Sequence, residues 1–141
     1  MTTYNIRIAL ESNISDARLR KQLGKKYVVD VCFLKFALLV YSIHYDDFEY
    51  ALIVHDSDFT CNKPHLHLVV FGDCAVIDVL VRDFFPIGYC EECRSYEASL
   101  LYLLHRGHAD KKQYSVSDLY TNIDYYARFP FLKGVCWYEW V

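Results

Sequence analysis

The sequence predicts an α+β fold in which helices cover an antiparallel β-sheet. Segments with alternating apolar residues are interspersed with longer segments whose apolar residues recur at helical spacing. Two strand-like segments, "YALIVH" and "HLHLVVF", are joined by a short polar connection, which is typical of an antiparallel hairpin. The chain has 141 residues, of which 54% are hydrophobic, and contains no repeat or Pro/Gly-rich linker. We therefore expect a single domain, residues 1–141, with an ample core.

The N-terminal part predicts one strand followed by two helices. "TYNIRIAL" alternates between apolar and polar residues, as a half-buried strand does. "SDARLRKQLG" begins with an N-cap candidate at Ser15 and ends at Gly24, which predicts a short helix. "VDVCFLKFALLVYSI" predicts a second, amphipathic helix. Lys35 interrupts its apolar run, which is therefore too short for a membrane span of about 18 residues.

The hairpin formed by residues 50–54 and by "HLHLVV" comes next, and a helix, a strand and a helix follow it. "CAVIDVLVRDFF" has apolar residues at helical spacing, and Pro86 ends this helix. "IGYCEECR" predicts a strand, and "SYEASLLYLLHRGH" predicts a helix that is capped by Ser95 and closed near Gly107. "FLKGVCWYEWV" is compatible with a terminal strand or with aromatic side chains that pack on the domain.

Composition limits the compartment and the partners. The N-terminus lacks the basic and apolar regions of a secretion signal, so we expect a soluble intracellular protein that does not associate with membranes. The six cysteines are then expected as reduced thiols, although their even number leaves disulfides open in an oxidising compartment. A net charge of −3 argues against non-specific coating of nucleic acid but allows a local basic groove.

The stretch "HDSDFTCNKPHLHLVVF" concentrates side chains that bind metals. Alternate residues of a strand point to opposite faces, so His65 and His67 share one face, with Cβ atoms about 7 Å apart. The hairpin turn would bring His55 or Asp58 back beside them. Imidazole and carboxylate ligands suit Mn²⁺, Mg²⁺ or Zn²⁺ without choosing sharply among them. The alternative is a pair of ordinary histidines on a half-exposed strand.

The helix that begins at Ser95 carries a tyrosine on its polar side. Leu100 and Leu104 lie opposite Tyr102 at about 100° per residue, so the leucines are expected in the core. His105 and Arg106 lie within one turn of Tyr102. A tyrosine, a metal site and a nearby cation suggest phosphoryl chemistry, because a phenol attacks only when its proton is removed and the charge of the electrophile is neutralised.

Three motifs in register resemble the HUH endonucleases, which are named for two histidines separated by a hydrophobic residue. Within that superfamily, the closer likeness is to the rolling-circle replication initiators of small multicopy plasmids. The motifs are "HDSD" at 55–58, "KPHLH" at 63–67 and "YLLH" at 102–105, and "DKKQYSVSDL" resembles the segment that follows in that group. Their order and spacing agree over roughly residues 50 to 120.

The resemblance implies the RRM-like fold of HUH endonucleases and a divalent metal, Mn²⁺ or Mg²⁺. It implies that His65 and His67 bind this metal and that His55 and Asp58 complete the shell. The metal would polarise and orient the scissile phosphate rather than generate hydroxide, because the protein supplies the nucleophile.

The resemblance also implies that Tyr102 is the nucleophile. Its attack on single-stranded DNA at a replication origin would leave a 5′-phosphotyrosine link and a free 3′-hydroxyl that primes synthesis. Many viral and cellular relatives have a lysine three residues after the tyrosine. That position holds His105 here, so positioning or proton transfer would fall to His105 or Arg106.

DNA is expected to bind through local contacts, because the chain is mildly acidic. The sequence contains no "GxxxxGK[ST]" run, so we expect a separate helicase to open the duplex and a separate polymerase to copy it. The protein would act in the cytoplasm of the host of a plasmid or virus, and a homo-oligomer stays open. The basic residues expected to contact DNA are Lys63, Arg94, Arg106, Lys111 and Lys112.

Two other interpretations stay open. A single-tyrosine transposase or a mobilisation relaxase would use the same histidines and tyrosine and would differ only in its DNA substrate. A non-catalytic, zinc-stabilised nucleic-acid-binding module would use Cys90 and Cys93 with His105 and His108, although one CxxC without a second pair is a weak signal. A cyclic-phosphate esterase would need two "HxT" or "HxS" motifs, which the sequence lacks.

Overall fold

A computed structural model of the chain describes residues 1–13, 16–55, 64–84, 89–108 and 110–133. Strands and helices follow one another along these residues, with two short 3₁₀ turns near the C-terminal end, Val116–Asp118 and Pro130–Leu132. The strands are β1 (Thr2–Ala9), β2 (Glu11–Asn13), β3 (Lys26–Val28), β4 (Glu49–His55), β5 (His65–Gly72), β6 (Tyr89–Glu92) and β7 (Tyr120–Thr121). The helices are α1 (Ala17–Leu23), α2 (Val31–His44), α3 (Cys74–Phe84), α4 (Tyr96–Tyr102) and α5 (Tyr125–Arg128).

Five of the strands form one antiparallel sheet in the order β6-β1-β5-β4-β7. β5 lies at its centre and pairs with β1 on one side and with β4 on the other. β2 and β3 form a separate antiparallel ribbon. Helices pack against the five-stranded sheet, so the predicted α+β class is confirmed. In the described part of the chain, no helix is long and apolar enough to cross a bilayer.

Each face of the sheet has its own buried cluster. The first cluster joins even-numbered residues of β5, such as Leu66 and Leu68, to Leu38 of α2 and Ile77 of α3. The second cluster joins residues of the opposite face, such as Val69, to α4, α5 and the segments around them. Its other members are Ala51, Ile53, Leu100, Leu103, Leu104, Tyr114, Ile123, Tyr125, Phe129 and Leu132. A sheet that is covered on both faces can bury a polar site deeply.

Some predicted boundaries need correction at the N-terminal end. The first helix is capped by Asp16, whose carboxylate accepts hydrogen bonds from the backbone N–H groups of Arg18 and Leu19. The predicted cap, Ser15, lies outside the described residues. The strands β2, β3 and β7 were not predicted, because two or three residues are too few to show a periodic pattern.

The helix that carries Tyr102 ends earlier than predicted. We expected it to close near Gly107, but α4 ends at Tyr102, and the N–H of His105 bonds to the carbonyl of Tyr102, three residues back. His105 has φ 60° and Gly107 has φ 79°, both in the left-handed region that a right-handed helix cannot contain. The chain therefore turns sharply directly after Tyr102.

The C-terminal segment is described only in part. Leu132, in the 3₁₀ turn Pro130–Leu132, is buried in the second cluster. Residues 134–141, which include most of the predicted terminal strand, lie outside the described residues.

The position of Leu68 in the first cluster predicts a large loss of stability on truncation. Leu68→Ala should lower the free energy of unfolding by about 2–5 kcal/mol, because its fully buried side chain would leave a cavity. Urea unfolding followed by circular dichroism measures the change. The matched control is Leu39→Ala on α2, where the side chain is 43% exposed and the cost should be about 1 kcal/mol or less. Equal costs would contradict the assignment of Leu68 to the core.

Candidate functional site

Three histidines from the hairpin meet on the α4 face of the sheet. In the β4–β5 register His55 stands directly opposite His65, and in the β1–β5 register Arg7 stands opposite His67. Directly paired residues of neighbouring strands point to the same face, and so do alternate residues of one strand. These side chains therefore share one face with Asn5, which lies two residues before Arg7 on β1.

The three imidazoles lie close enough together to bind one metal ion. One ring nitrogen from each of His55, His65 and His67 lies within 4.8 Å of the others. His55 Nδ1 is 3.2 Å from His65 Nε2. In tetrahedral or octahedral geometry, nitrogen ligands that each lie about 2.0–2.1 Å from a metal are separated from one another by distances similar to this 3.2 Å. In the described part of the chain, this is the one group of at least three potential ligand side chains that meets this spacing.

Hydrogen bonds determine the tautomers of two of the rings. His55 Nε2–H donates to the carbonyl oxygen of Leu103 at 2.8 Å, so Nδ1 of a neutral His55 carries the lone pair that faces His65. His67 Nε2–H donates to Asn5 Oδ1, which leaves the lone pair of His67 on Nδ1. That atom is buried and has no hydrogen-bond partner. Partners of this kind fix the orientation of metal-ligating imidazoles.

The imidazoles are buried, so they are not the ordinary histidines on a half-exposed strand that formed the alternative. His65 is 7% exposed and His67 is 4% exposed. They are buried because both faces of the sheet are covered. Burial lowers the pKa of His67 to about 3, and the neighbouring His55 and His65 add to the effect. His67 is therefore neutral at pH 7, as a metal ligand must be.

The residues present fit a divalent metal ion. A buried lone pair without a partner, beside two further imidazoles, matches the ligand type and number of a three-histidine site. The fourth predicted ligand, Asp58, lies outside the described residues.

Tyr102 lies at the same site as the histidines. A cleft of about 570 Å³ opens between β1, the end of β6 and α4, and its lining includes His65, His67 and Tyr102. The ring centroids of His67 and Tyr102 are 5.6 Å apart. The small side chains Ala98 and Ser99 also line the cleft, and they leave the ring of Tyr102 accessible. The predicted polar side of this helix therefore faces the cleft.

His105 is part of this cluster, and a hydrogen bond to the backbone fixes its ring. It is 2% exposed, and its Nδ1–H donates to the carbonyl oxygen of Lys112 at 2.8 Å. Its ring centroid is 4.2 Å from that of His55 and 5.7 Å from that of Tyr102. His105 therefore lies close both to the histidine triad and to Tyr102.

The predicted DNA-contacting residues separate into three groups. Arg94 and Lys111 line the cleft. Lys112 lines a different cleft of about 410 Å³ together with Tyr114, and the half-buried Arg106 is absent from the lining of the first cleft. Lys63 lies outside the described residues.

Two lining residues, Asn5 and Arg7, were missed by the sequence reasoning. Both are polar positions of the alternating strand "TYNIRIAL", so a signal for a shared polar face was present. The pairing of β1 with β5 could not be predicted from the sequence, because the two strands are about sixty residues apart.

The ligand set of the alternative zinc module does not assemble among the described residues. Cys90 pairs with Ile6 and packs against the first cluster, whereas Cys93 lines the cleft on the opposite face. Two cysteines on opposite faces of one sheet cannot bind one ion with His105 and His108. Both thiols are free.

Comparisons with known proteins do not assign the chain to a family: no family model, no curated protein and no solved structure matches it significantly. Membership of the HUH endonucleases therefore stays a prediction.

The geometry of the triad predicts metal binding that depends on His67. His67→Ala should weaken the binding of Mn²⁺, measured by isothermal titration calorimetry, by more than the roughly 10- to 100-fold that loss of an outer partner costs. Asn5→Ala, which removes only the hydrogen bond to His67, should fall between that variant and the wild type.

The matched control for this series is His44→Ala, which removes an exposed histidine at the end of α2. Its affinity for Mn²⁺ should equal that of the wild type. Wild-type affinity in a folded His67→Ala protein would show that the triad binds no metal.

The lowered pKa of His67 predicts that the metal-free protein loses stability in mild acid. The folded-state pKa of about 3 lies below the ordinary value of 6.5, so the unfolded chain takes up the proton first as the pH falls. Stability from this group is present well above pH 6.5 and should drop by about 2 kcal/mol between pH 7.5 and pH 5. Urea unfolding in EDTA at the two pH values measures the drop. His67→Gln should show a smaller one, and an equal drop would contradict the assignment.

Proposed function

We propose that the chain is a metal-dependent endonuclease of the HUH type, which nicks and joins single-stranded DNA as the initiator of rolling-circle replication. One observation carries the proposal: Tyr102 opens into the same cleft as His65 and His67, with its ring 5.6 Å from that of His67. The three motifs of the sequence thus contribute side chains to one place, although they lie on different elements.

The metal would be held by His55, His65 and His67. Once bound, it would polarise a phosphate oxygen and orient the phosphodiester. A set of three nitrogen ligands favours Mn²⁺ over Mg²⁺, because Mg²⁺ prefers an oxygen shell. We therefore propose Mn²⁺ as the better cofactor of the two that the sequence suggested.

The reaction would be a transesterification that needs no further reactant. The Tyr102 Oη atom attacks the phosphorus, a new P–O bond forms to the tyrosine, and the bond between phosphorus and the 3′-oxygen breaks. The phenol proton is lost and the departing 3′-oxygen gains one, so the net reaction is balanced. The free 3′-hydroxyl can prime synthesis, and the reverse reaction rejoins strands.

Tyr102 is the best placed of the tyrosines near the histidines. Tyr114 stacks on His55 with ring centroids 4.9 Å apart, but it is only 4% exposed. Tyr96 donates its hydroxyl to Glu49 at 3.0 Å and stacks on Phe71, so it is occupied as a structural contact. Neither of these two tyrosines lines the cleft that contains His65 and His67.

The charges of the cleft suit a nucleic-acid strand that is bound locally. Arg7 and Arg94 bring positive groups to its lining, which can contact phosphates. Glu91 and Glu92 lie beside them and would limit non-specific binding. Partners in this role would be an origin in single-stranded form, a separate helicase and a host polymerase inside the cell.

The proposal predicts that the hydroxyl of Tyr102 is essential for cleavage. Tyr102→Phe should abolish the covalent adduct with single-stranded oligonucleotides in Mn²⁺, while stability changes by no more than about 0.5–1.5 kcal/mol. Mass analysis of the protein after incubation with an oligonucleotide library measures the adduct. Binding of Mn²⁺ should persist, because the phenol is not a ligand.

Tyr120→Phe is the matched control. Its hydroxyl donates to the carbonyl oxygen of Lys35 at 3.2 Å, and its ring packs against the first cluster, so its loss should leave adduct formation intact. An adduct that persists in Tyr102→Phe, or that maps to Tyr114 in the wild type, would disprove the choice of nucleophile. Absence of any adduct across the library in the wild-type protein would count against the proposed reaction.

A further inference from the structure

We propose that Lys111 is a second catalytic residue, whose ammonium group orients the Tyr102 hydroxyl and stabilises the charge that develops on it during attack. The Lys111 Nζ atom donates a hydrogen bond to Tyr102 Oη at 2.8 Å. This inference rests on the proposed function, since it assigns a role in that reaction.

The contact differs from the role that the sequence suggested for Lys111. A basic residue in "DKKQYSVSDL" was expected to contact DNA, whereas the structure places its ammonium on the hydroxyl of the nucleophile. Lys111 is half-buried and lines the cleft, and its Nζ lies 5.2 Å from the centroid of the Tyr102 ring. The Lys111 ammonium therefore lies directly beside the phenol of Tyr102, within the lining of the cleft.

The loop after α4 holds Lys111 in this position. The backbone N–H of Lys111 bonds to the carbonyl of His108 at 3.0 Å. The side-chain amide of Gln113 donates to the carbonyls of His105, His108 and Lys111 at 2.8, 3.0 and 3.2 Å. These bonds return the chain towards Tyr102 after the sharp turn at His105. The ammonium is therefore positioned before any substrate binds.

The chemistry follows from the charge of the donor. An ammonium group only donates hydrogen bonds, so it occupies one lone pair of the phenol oxygen and leaves the other available for attack. As the phenol loses its proton, the hydrogen bond becomes a contact between opposite charges and strengthens. A donor that binds the reacting oxygen more strongly in the transition state than in the ground state increases the rate.

The test separates a role in the reaction from a role in DNA binding. Lys111→Met keeps the aliphatic stem and removes the charge, and Lys111→Arg restores a donor. The control is Lys35→Met, which also removes one positive charge: its Nζ lies 5.3 Å from the centroid of the Tyr120 ring, on α2 against the other face of the sheet. All variants are compared with the wild type in adduct formation with an oligonucleotide that the wild-type protein cleaves, in Mn²⁺.

We expect Lys111→Met to lower the single-turnover rate at saturating oligonucleotide by at least about tenfold, which is less than the roughly 100- to 1,000-fold that loss of an oxyanion-hole donor costs. Its dissociation constant for the same oligonucleotide should stay within about threefold of that of Lys35→Met, because each variant loses one charge. Lys111→Arg should recover a large part of the rate, and Lys35→Met should react at the wild-type rate.

Each other outcome overturns the inference in a recognisable way. A wild-type rate in Lys111→Met, with an adduct on Tyr102, would refute the role of Lys111 and leave the proposed function intact. A defect that disappears at saturating oligonucleotide would make Lys111 a DNA contact only. A wild-type protein that forms no adduct with any member of the oligonucleotide library would refute the proposed function, and the role of Lys111 with it.

Discussion

The register of β5 with its two neighbours is the constraint on which both the core and the site depend. It sets Leu66 and Leu68 into the first cluster and, on the alternate positions, turns His65 and His67 to the other face. A shift of one residue would exchange the two sets, placing leucines in the cleft and imidazoles in the apolar core. The favourable burial of the leucines therefore also fixes the face of the sheet on which the histidines lie.

Burial of the histidine rings determines which of their nitrogens have hydrogen-bond partners. His55 and His67 each donate one N–H to a fixed oxygen, which orients the two rings. His67 Nδ1 then remains buried without a partner, at a cost of about 1–3 kcal/mol that a ligand at this nitrogen would remove. A buried imidazole nitrogen that lacks a hydrogen-bond partner, on a residue that lines an open cleft, is a position where a ligand such as a metal ion can bind.

The early end of α4 connects the histidine triad to Tyr102. Because the helix stops at Tyr102, the carbonyl of Leu103 can accept a hydrogen bond from His55 rather than continue the helical pattern. The left-handed conformation of His105 then reverses the chain and carries Lys111 back to the phenol. One local departure from regular helix thus orients His55 and brings the Lys111 ammonium to Tyr102.

The sequence by itself determined the fold class, the strand that carries His65 and His67, and the polar side of the helix that carries Tyr102. These features follow from local periodicity, which can be read from side chains that are only a few residues apart in the sequence. Only the tertiary structure decided that the histidines are buried and that Asn5 supports His67. It also decided that Lys111 reaches Tyr102 and that Cys90 and Cys93 face apart. These features depend on pairings between distant strands and on a loop closed by Gln113, and side-chain spacing contains no information about which distant groups will meet.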